Sequence, residues 1–196
     1  MRRILAIAAA LVAVSATQTA AETVRQLGPH QHGHGTLNLA VEGQVVQMEL
    51  EVPGADIVGF EYEAKTVEDQ AKVKAATETL SKPLALFTLP DAAGCKVTSS
   101  KVAIAKESHD EHEHEEHEHE ADHDADDEEH EAEHSEFHVQ YALSCDNVAA
   151  ITTIAFPYFE TFPNSQELAV TLITEKSQKS FEVDREHTLI DIRGMM

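Results

Sequence analysis

The chain has 196 residues, 36 of them acidic and 14 basic, and a formal net charge of −22. This overall negative charge repels nucleic acid and anionic membrane surfaces, so the protein does not bind them through its net charge. It attracts cations instead. The length predicts one domain with an insert, because 17 acidic residues and nine histidines fall within residues 107–138 alone.

The N-terminus has the pattern of a cleaved signal peptide. Residues 1–3 are basic at two positions, Ile4–Val14 is apolar, and the following stretch to Ala21 is small and polar. The apolar run is too short for a final anchor, and no later run approaches the roughly 18 residues of a spanning helix. We expect a signal peptide over residues 1–21, export to the periplasm, and no membrane span in the mature protein. The alternative is an N-terminal core helix.

Alternating apolar and polar residues predict strands, and capping residues such as Thr66 mark two helix starts. The predicted elements in chain order are strands at 36–42 and 44–52, a helix at 66–80, strands at 84–89 and 95–105, a strand at 136–145, a helix at 146–156, and strands at 167–174, 179–183 and 187–192. This order predicts an α+β fold with mainly antiparallel sheet and two helices in two similar halves. A single domain over residues 22–196 is interrupted at about 107–135.

The interruption is rich in His, Asp and Glu. We expect it to be disordered without metal, because it has too little apolar surface to compensate for ordering. Imidazole and carboxylate groups together bind zinc, and also nickel or copper. The predicted metal ligands in and beside this insert are His109, His112, His114, His117, His119, His123, His130, His134 and His138. The alternative is an inert, solubilising acidic loop.

A second histidine cluster lies near the start of the mature chain. His30, His32 and His34 alternate, so an extended backbone would point all three at one ion. The alternative is a Gly/His linker without a metal site. His187 stands alone, and we expect a surface or packed histidine there.

Cys95 and Cys145 bracket the insert. In an oxidising compartment such a pair is usually a disulfide, which would join the two ends of the insert at its base. Metal ligation by these thiols is the alternative. Enzyme signatures such as H-E-x-x-H and G-x-S-x-G are absent, so we expect no catalytic residues and no enzyme.

Several segments in order resemble the ZrgA-type zinc-regulated periplasmic proteins of Gram-negative bacteria. They are HQHGHGTLNLAVEG, VPGADIVGFE, AGC at Cys95, the His/acid-rich insert, FHVQYALSC and IAFPYFETFP. The resemblance implies a periplasmic zinc binder that assists a high-affinity zinc ABC importer, with the importer's binding protein as partner. In it, His30, His32 and His34 match the N-terminal histidine motif. One departure is Tyr62, where similar sequences often have histidine after the GFE element.

We therefore expect a zinc-binding accessory protein that captures zinc and passes it to the import system. One alternative is a periplasmic buffer or detoxifying sponge for zinc, nickel or copper. Another is an interaction module whose acidic loop docks a basic partner. A zinc hydrolase is a more distant possibility.

Overall fold

The computed structural model describes residues 31–106 and 134–196. Within them, the chain forms eight strands and four α-helices, of which α2 is the longest at 14 residues. These elements are β1 His34–Glu42, β2 Val45–Pro53, α1 Gly54–Val58, α2 Val67–Leu80, α3 Pro83–Leu86, β3 Cys95–Lys106, β4 Ser135–Cys145, β5 Thr153–Ala155, α4 Tyr158–Thr161, β6 Glu167–Thr174, β7 Gln178–Asp184 and β8 Leu189–Asp191.

Six of the strands form one mixed sheet in the order β3-β4-β2-β1-β6-β7. The β1–β6 pair is parallel, and the other neighbouring pairs of this sheet are antiparallel. The strands β5 and β8 form a separate antiparallel pair. Strands thus predominate over helices, which fits the expected α+β class in outline. The similarity of two halves stays a prediction.

Period-two alternation gives the sheet one apolar face. Leu37 and Leu39 of β1 are buried, as are the residues at the same phase in β2, β4 and β6. The register pairs Leu39 with Met48 across β1 and β2, and Gly43 has a positive φ of 56° in the predicted turn between them. The strand predictions for β1, β2, β4 and β6 are confirmed, and each of these strands carries this alternation. The strand predicted at 95–105 is confirmed as β3, although none of its described side chains is buried.

Helix α2 reaches the core through Ala76 and Leu80, and its start is the one predicted. The Thr66 side chain accepts a hydrogen bond from the Asp69 amide at 3.1 Å, as an N-cap does. At its other end, the buried Tyr141 hydroxyl donates to the Leu80 carbonyl at 2.7 Å. Aromatic rings fill the space between the sheet and the smaller elements, with Phe87 in ring contact with Tyr141 and Tyr158.

Two element predictions are wrong. Residues 84–89 are not a strand; Pro83 begins α3 instead, because proline is favoured at the first helical position. Residues 146–156 are not a helix; after a 3-10 turn at Val148–Ala150 the chain enters β5. The β-branched residues that follow that turn favour extended structure. Helix α1 was not predicted.

The cysteine prediction is confirmed, since Cys95 and Cys145 form a disulfide. They are register partners where β3 and β4 meet, with Cα atoms 3.9 Å apart. The predicted signal peptide and nearly all of the predicted insert lie outside the described residues, although Ser135 already belongs to β4. None of the described helices combines the length and apolar character needed to cross a bilayer.

Candidate metal centre

His32 is held by a tight turn at the entrance of β1. The His34 amide bonds to the Gln31 carbonyl at 3.1 Å, and Gly33 adopts a φ of +86°. This left-handed conformation favours glycine, because the Cβ atom of any other residue would crowd the backbone there. The Gly33 carbonyl also accepts the amides of Gln166 and Glu167 at 2.8 and 2.9 Å, which ties the turn to β6.

Asp56 of α1 holds the same turn through its carboxylate. Its Oδ1 accepts the Gly33 amide at 2.8 Å, and the residue is only 3% exposed. Its Oδ2 is buried and makes no hydrogen bond among the described residues. Burial raises the pKa of Asp56, while the Gly33 hydrogen bond and the nearby His32 act in the opposite direction. A buried carboxylate with one unsatisfied oxygen would be stabilised by a cation close by.

Two further segments bring Glu61 and His134 to the turn. Glu61 follows α1, and His134 immediately precedes β4. The distance from His32 Nε2 to Glu61 Oε1 is 2.9 Å, and that from His134 Nδ1 to Glu61 Oε2 is 2.5 Å. One ligand atom from each residue lies within 4.8 Å of the others, so the three can hold one ion. These three residues are a candidate metal site, and we call them the zinc centre after the ion that such a ligand set suits.

The electrostatics of the zinc centre favour an ionised carboxylate. Burial by itself would raise the pKa of Glu61, but hydrogen bonds from His134 and His32 outweigh it and lower the pKa. The Glu61 side chain is 10% exposed, whereas that of His32 is 61% exposed. The buried anion therefore sits at the base of the centre, and the imidazoles face the solvent from which an ion would arrive.

Two imidazoles and one carboxylate are a common ligand set for zinc. Zinc binds such ligands at about 2.0–2.2 Å in a tetrahedron, so its ligand atoms lie about 3.4 Å apart. The His32–Glu61 and His134–Glu61 distances of 2.9 and 2.5 Å are shorter than this value, so small side-chain rotations would have to open these contacts to admit an ion. Three protein ligands leave the fourth position open to water or to a ligand from another molecule.

The other predicted ligands are placed differently. His34 is outside the zinc centre, with its Nδ1 3.6 Å from Glu167 Oε1, because the positive φ of Gly33 breaks the alternation that the prediction assumed. His138 lies on β4, as the sequence indicated, beside Glu136 and Glu51.

The remaining predictions concern His187 and the histidines outside the described residues. His187 is an exposed residue paired with Asp184 at 3.1 Å, as expected of a surface histidine, and that contact lowers the pKa of Asp184. The predicted ligands outside the described residues are His30, His109, His112, His114, His117, His119, His123 and His130. Their metal binding stays a prediction.

Sequence analysis missed Glu61 and Asp56. Both lie in the stretch VPGADIVGFE, which carried part of the family resemblance. The neighbouring Tyr62, the departure from similar sequences, is exposed and stacks on Phe60 with ring centroids 4.6 Å apart. The carboxylate at the end of this motif was the available signal for a ligand.

A groove of about 270 Å³ opens beside the zinc centre. Glu61 forms part of its wall, together with apolar side chains that include Phe60, Ile104 and Phe137. One side of the Glu61 carboxylate thus adjoins apolar surface, which strengthens its electrostatic interactions with the two histidines.

Comparison with known proteins shows the family of the chain. No curated protein matches the chain. The family model described as ZrgA family zinc uptake protein matches residues 29–192, a span that includes every residue of the zinc centre and both cysteines. The chain therefore belongs to the ZrgA family of zinc uptake proteins.

Proposed function

We propose that this protein captures zinc in the periplasm at His32, Glu61 and His134 and assists a zinc ABC importer by passing the ion to its binding protein. Membership of a zinc uptake family supports the zinc-related role. The disulfide agrees with an extracytoplasmic location, where such bonds form and persist.

The observation that carries the proposal is the convergence of three distant chain segments on one point. Residues 32, 61 and 134 have no packing reason to meet, because polar side chains contribute little to a core. Buried Asp56 and the Gly33 turn hold His32 against Glu61, which is the support expected around a metal ligand.

The open fourth position suits delivery. A metal held by three protein ligands can accept a ligand from a second protein before it leaves, whereas a closed four-ligand site must first lose one of its own. We propose the insert histidines as additional, exchangeable ligands that raise the local zinc concentration. We also retain residues 1–21 as a proposed signal peptide and residues 22–196 as one proposed domain that the insert interrupts.

A zinc competition experiment tests the centre. The purified protein is titrated against a chromophoric zinc chelator at pH 7.4, so that the tightest site dominates the signal. We expect His32→Gln and Glu61→Gln each to weaken this site by at least about 10- to 100-fold, the loss seen when even outer partners of a ligand are removed. His187→Gln is the matched control, because His187 pairs only with surface Asp184 among the described residues.

The outcomes separate the roles. If His32→Gln and Glu61→Gln bind as tightly as the original protein, the zinc centre is not the capture site. Uptake is tested by growth of cells in zinc-depleted medium, where Glu61→Gln should grow as poorly as cells without the protein. A defect that appears only in excess zinc would instead indicate a buffer.

A further inference from the structure

The segment around α1 supplies two carboxylates to one place. Glu61 is a candidate ligand of the zinc centre, and Asp56 precedes it by five residues. Helix α1 ends where the Gly59 amide bonds to the Ala55 carbonyl at 3.1 Å. The chain beyond α1 brings Glu61 close enough to Asp56 for the Glu61 charge to contribute to the raised pKa of Asp56.

Asp56 also lies beside His32. Its Oδ1 is 2.8 Å from the amide nitrogen of Gly33, the atom bonded to the His32 carbonyl carbon. The other end of His32, Nε2, is 2.9 Å from Glu61 Oε1. Asp56 is not one of the three residues whose ligand atoms lie within 4.8 Å of one another. An ion in the zinc centre would therefore interact with the charge of Asp56 without binding to it.

No permanent positive charge balances these two carboxylates. Asp56 is 3% exposed and the Glu61 side chain is 10% exposed, and no described lysine or arginine forms an ion pair with either. The described partners of Glu61 are two imidazoles, and Asp56 Oδ2 is buried without a hydrogen bond. A hydrogen bond to Gly33 does not by itself require a charge, since the amide oxygen of an asparagine accepts it at a smaller desolvation cost.

We propose that the charge of Asp56 makes the zinc centre selective for divalent over monovalent cations, with Asp56 acting as a buried anion beside the ion and not as a ligand. This inference rests on the proposed function, because it concerns the same ion. Metal-bound imidazoles are neutral, so two carboxylates balance a dication and leave a monovalent ion with one negative charge in excess. A dication thus offsets the burial of Asp56, which nothing offsets in the metal-free protein.

Coulomb's law gives this selectivity a quantitative signature. The interaction of a fixed charge with an ion is proportional to the charge of the ion. Removal of the Asp56 charge should therefore weaken binding of a dication by the square of the factor for a monovalent ion, so that about tenfold for one corresponds to about threefold for the other. A variant that merely disturbed the Gly33 turn would weaken both ions without this relation.

The test compares Zn²⁺ with Ag⁺, a monovalent ion that also binds imidazole. The full mature chain and its Asp56→Asn variant are titrated with each ion at pH 7.4 against a competing ligand. Occupancy is followed at the ring nitrogens of His32 by ¹H–¹⁵N NMR, with His32 assigned from His32→Gln. We expect Asp56→Asn to weaken zinc binding at least about tenfold, and Ag⁺ binding by only about the square root of that factor.

Two further variants complete the test. Glu78→Gln is the matched control, because it removes one negative charge from an exposed side chain that pairs with Lys74 at 4.0 Å, and it should change neither ion. Asp56→Ala removes both the charge and the acceptor for Gly33. If Asp56→Asn folds poorly, Asp56→Ala must still weaken zinc binding more than Ag⁺ binding.

The outcomes separate this inference from the function on which it rests. If His32 of the original protein does not respond to zinc, the proposed function fails and the selectivity fails with it. If His32 responds but Asp56→Asn binds zinc as tightly as the original protein, the inference alone is overturned. Equal weakening of Zn²⁺ and Ag⁺ would also overturn it, and would leave Asp56 with the role of holding the turn.

Discussion

At the scale of single residues, the geometry of the zinc centre depends on Gly33 and Asp56 as well as on its three candidate ligands. Gly33 turns the chain so that His32 faces Glu61 while His34 faces Glu167. Asp56 holds that turn through one hydrogen bond and keeps a second oxygen buried close to His32. His32 was predictable from its motif, whereas Asp56 has no sequence pattern that distinguishes it from a surface acid.

Asp56→Asn should stabilise the metal-free protein increasingly as pH rises. Burial raises the pKa of Asp56, so the folded state binds this proton more tightly than the unfolded state does. The contribution of Asp56 to stability is then present below the unfolded pKa of about 3.9 and is lost as pH rises through the folded pKa. Asparagine keeps the acceptor for Gly33 without the buried charge. The difference in Tm between variant and original protein, measured with chelator from pH 4.5 to 7.5, should grow with pH.

Asp191→Asn is a control for which the change in Tm should have the opposite sign. Hydrogen bonds from Arg193 lower the pKa of Asp191 to about 2, so this carboxylate stabilises the fold above the unfolded pKa and loses that effect as pH falls. Its substitution should lower Tm slightly near neutral pH, and the difference should shrink in acid. The effect is small because the pair is exposed and screened. A Tm difference for Asp56→Asn that is independent of pH would contradict the assignment.

At the scale of elements, β4 contributes to the core, and His134 of the zinc centre immediately precedes it. Its odd-numbered residues from Phe137 to Cys145 are buried in the core, while Glu136 and His138 lie at the opposite phase of the strand. Strand periodicity predicted this division correctly, because a two-residue repeat is a local property. The helix predicted at 146–156 failed because capping residues at its start competed with the β-branched residues that follow, and pairing of β5 with β8 decided the outcome.

Tyr141→Phe should lower the free energy of unfolding by about 1–2 kcal/mol, because it leaves the buried Leu80 carbonyl without its donor. Urea denaturation of the purified protein measures this change. Tyr62→Phe is the matched control: Tyr62 is exposed, and loss of its hydroxyl should change stability by less than about 0.5 kcal/mol. Equal stability of the two variants would show that the hydroxyl does not anchor α2 to the sheet.

At the scale of the whole molecule, the disulfide and the zinc centre constrain opposite ends of the same strand pair. Cys145 ends β4 at the Cys95 bridge, and His134 precedes the first residue of β4. The bridge closes a loop of 50 residues, which contains the predicted insert. Both ends of the insert therefore emerge from an ordered sheet beside the zinc centre.

Replacing both cysteines by alanine should lower the free energy of unfolding by up to about 4 kcal/mol, since cross-linking a loop of this length restricts the unfolded chain. The measurement is urea denaturation with and without reductant. Reductant should destabilise the original protein and leave the double variant unchanged. If the double variant is as stable as the oxidised protein, the bridge contributes no net stability.

The sequence by itself determined the local properties of this protein: the alternation of its strands, the cap of α2, the abundance of zinc-binding side chains, and its family. These properties depend on neighbours within a few residues or on ordered motifs. Only the tertiary structure decided which histidines meet which carboxylates. The meeting of His32, Glu61 and His134 depends on the sheet order, on a parallel β1–β6 pair and on one buried aspartate, and no local pattern encodes those long-range contacts.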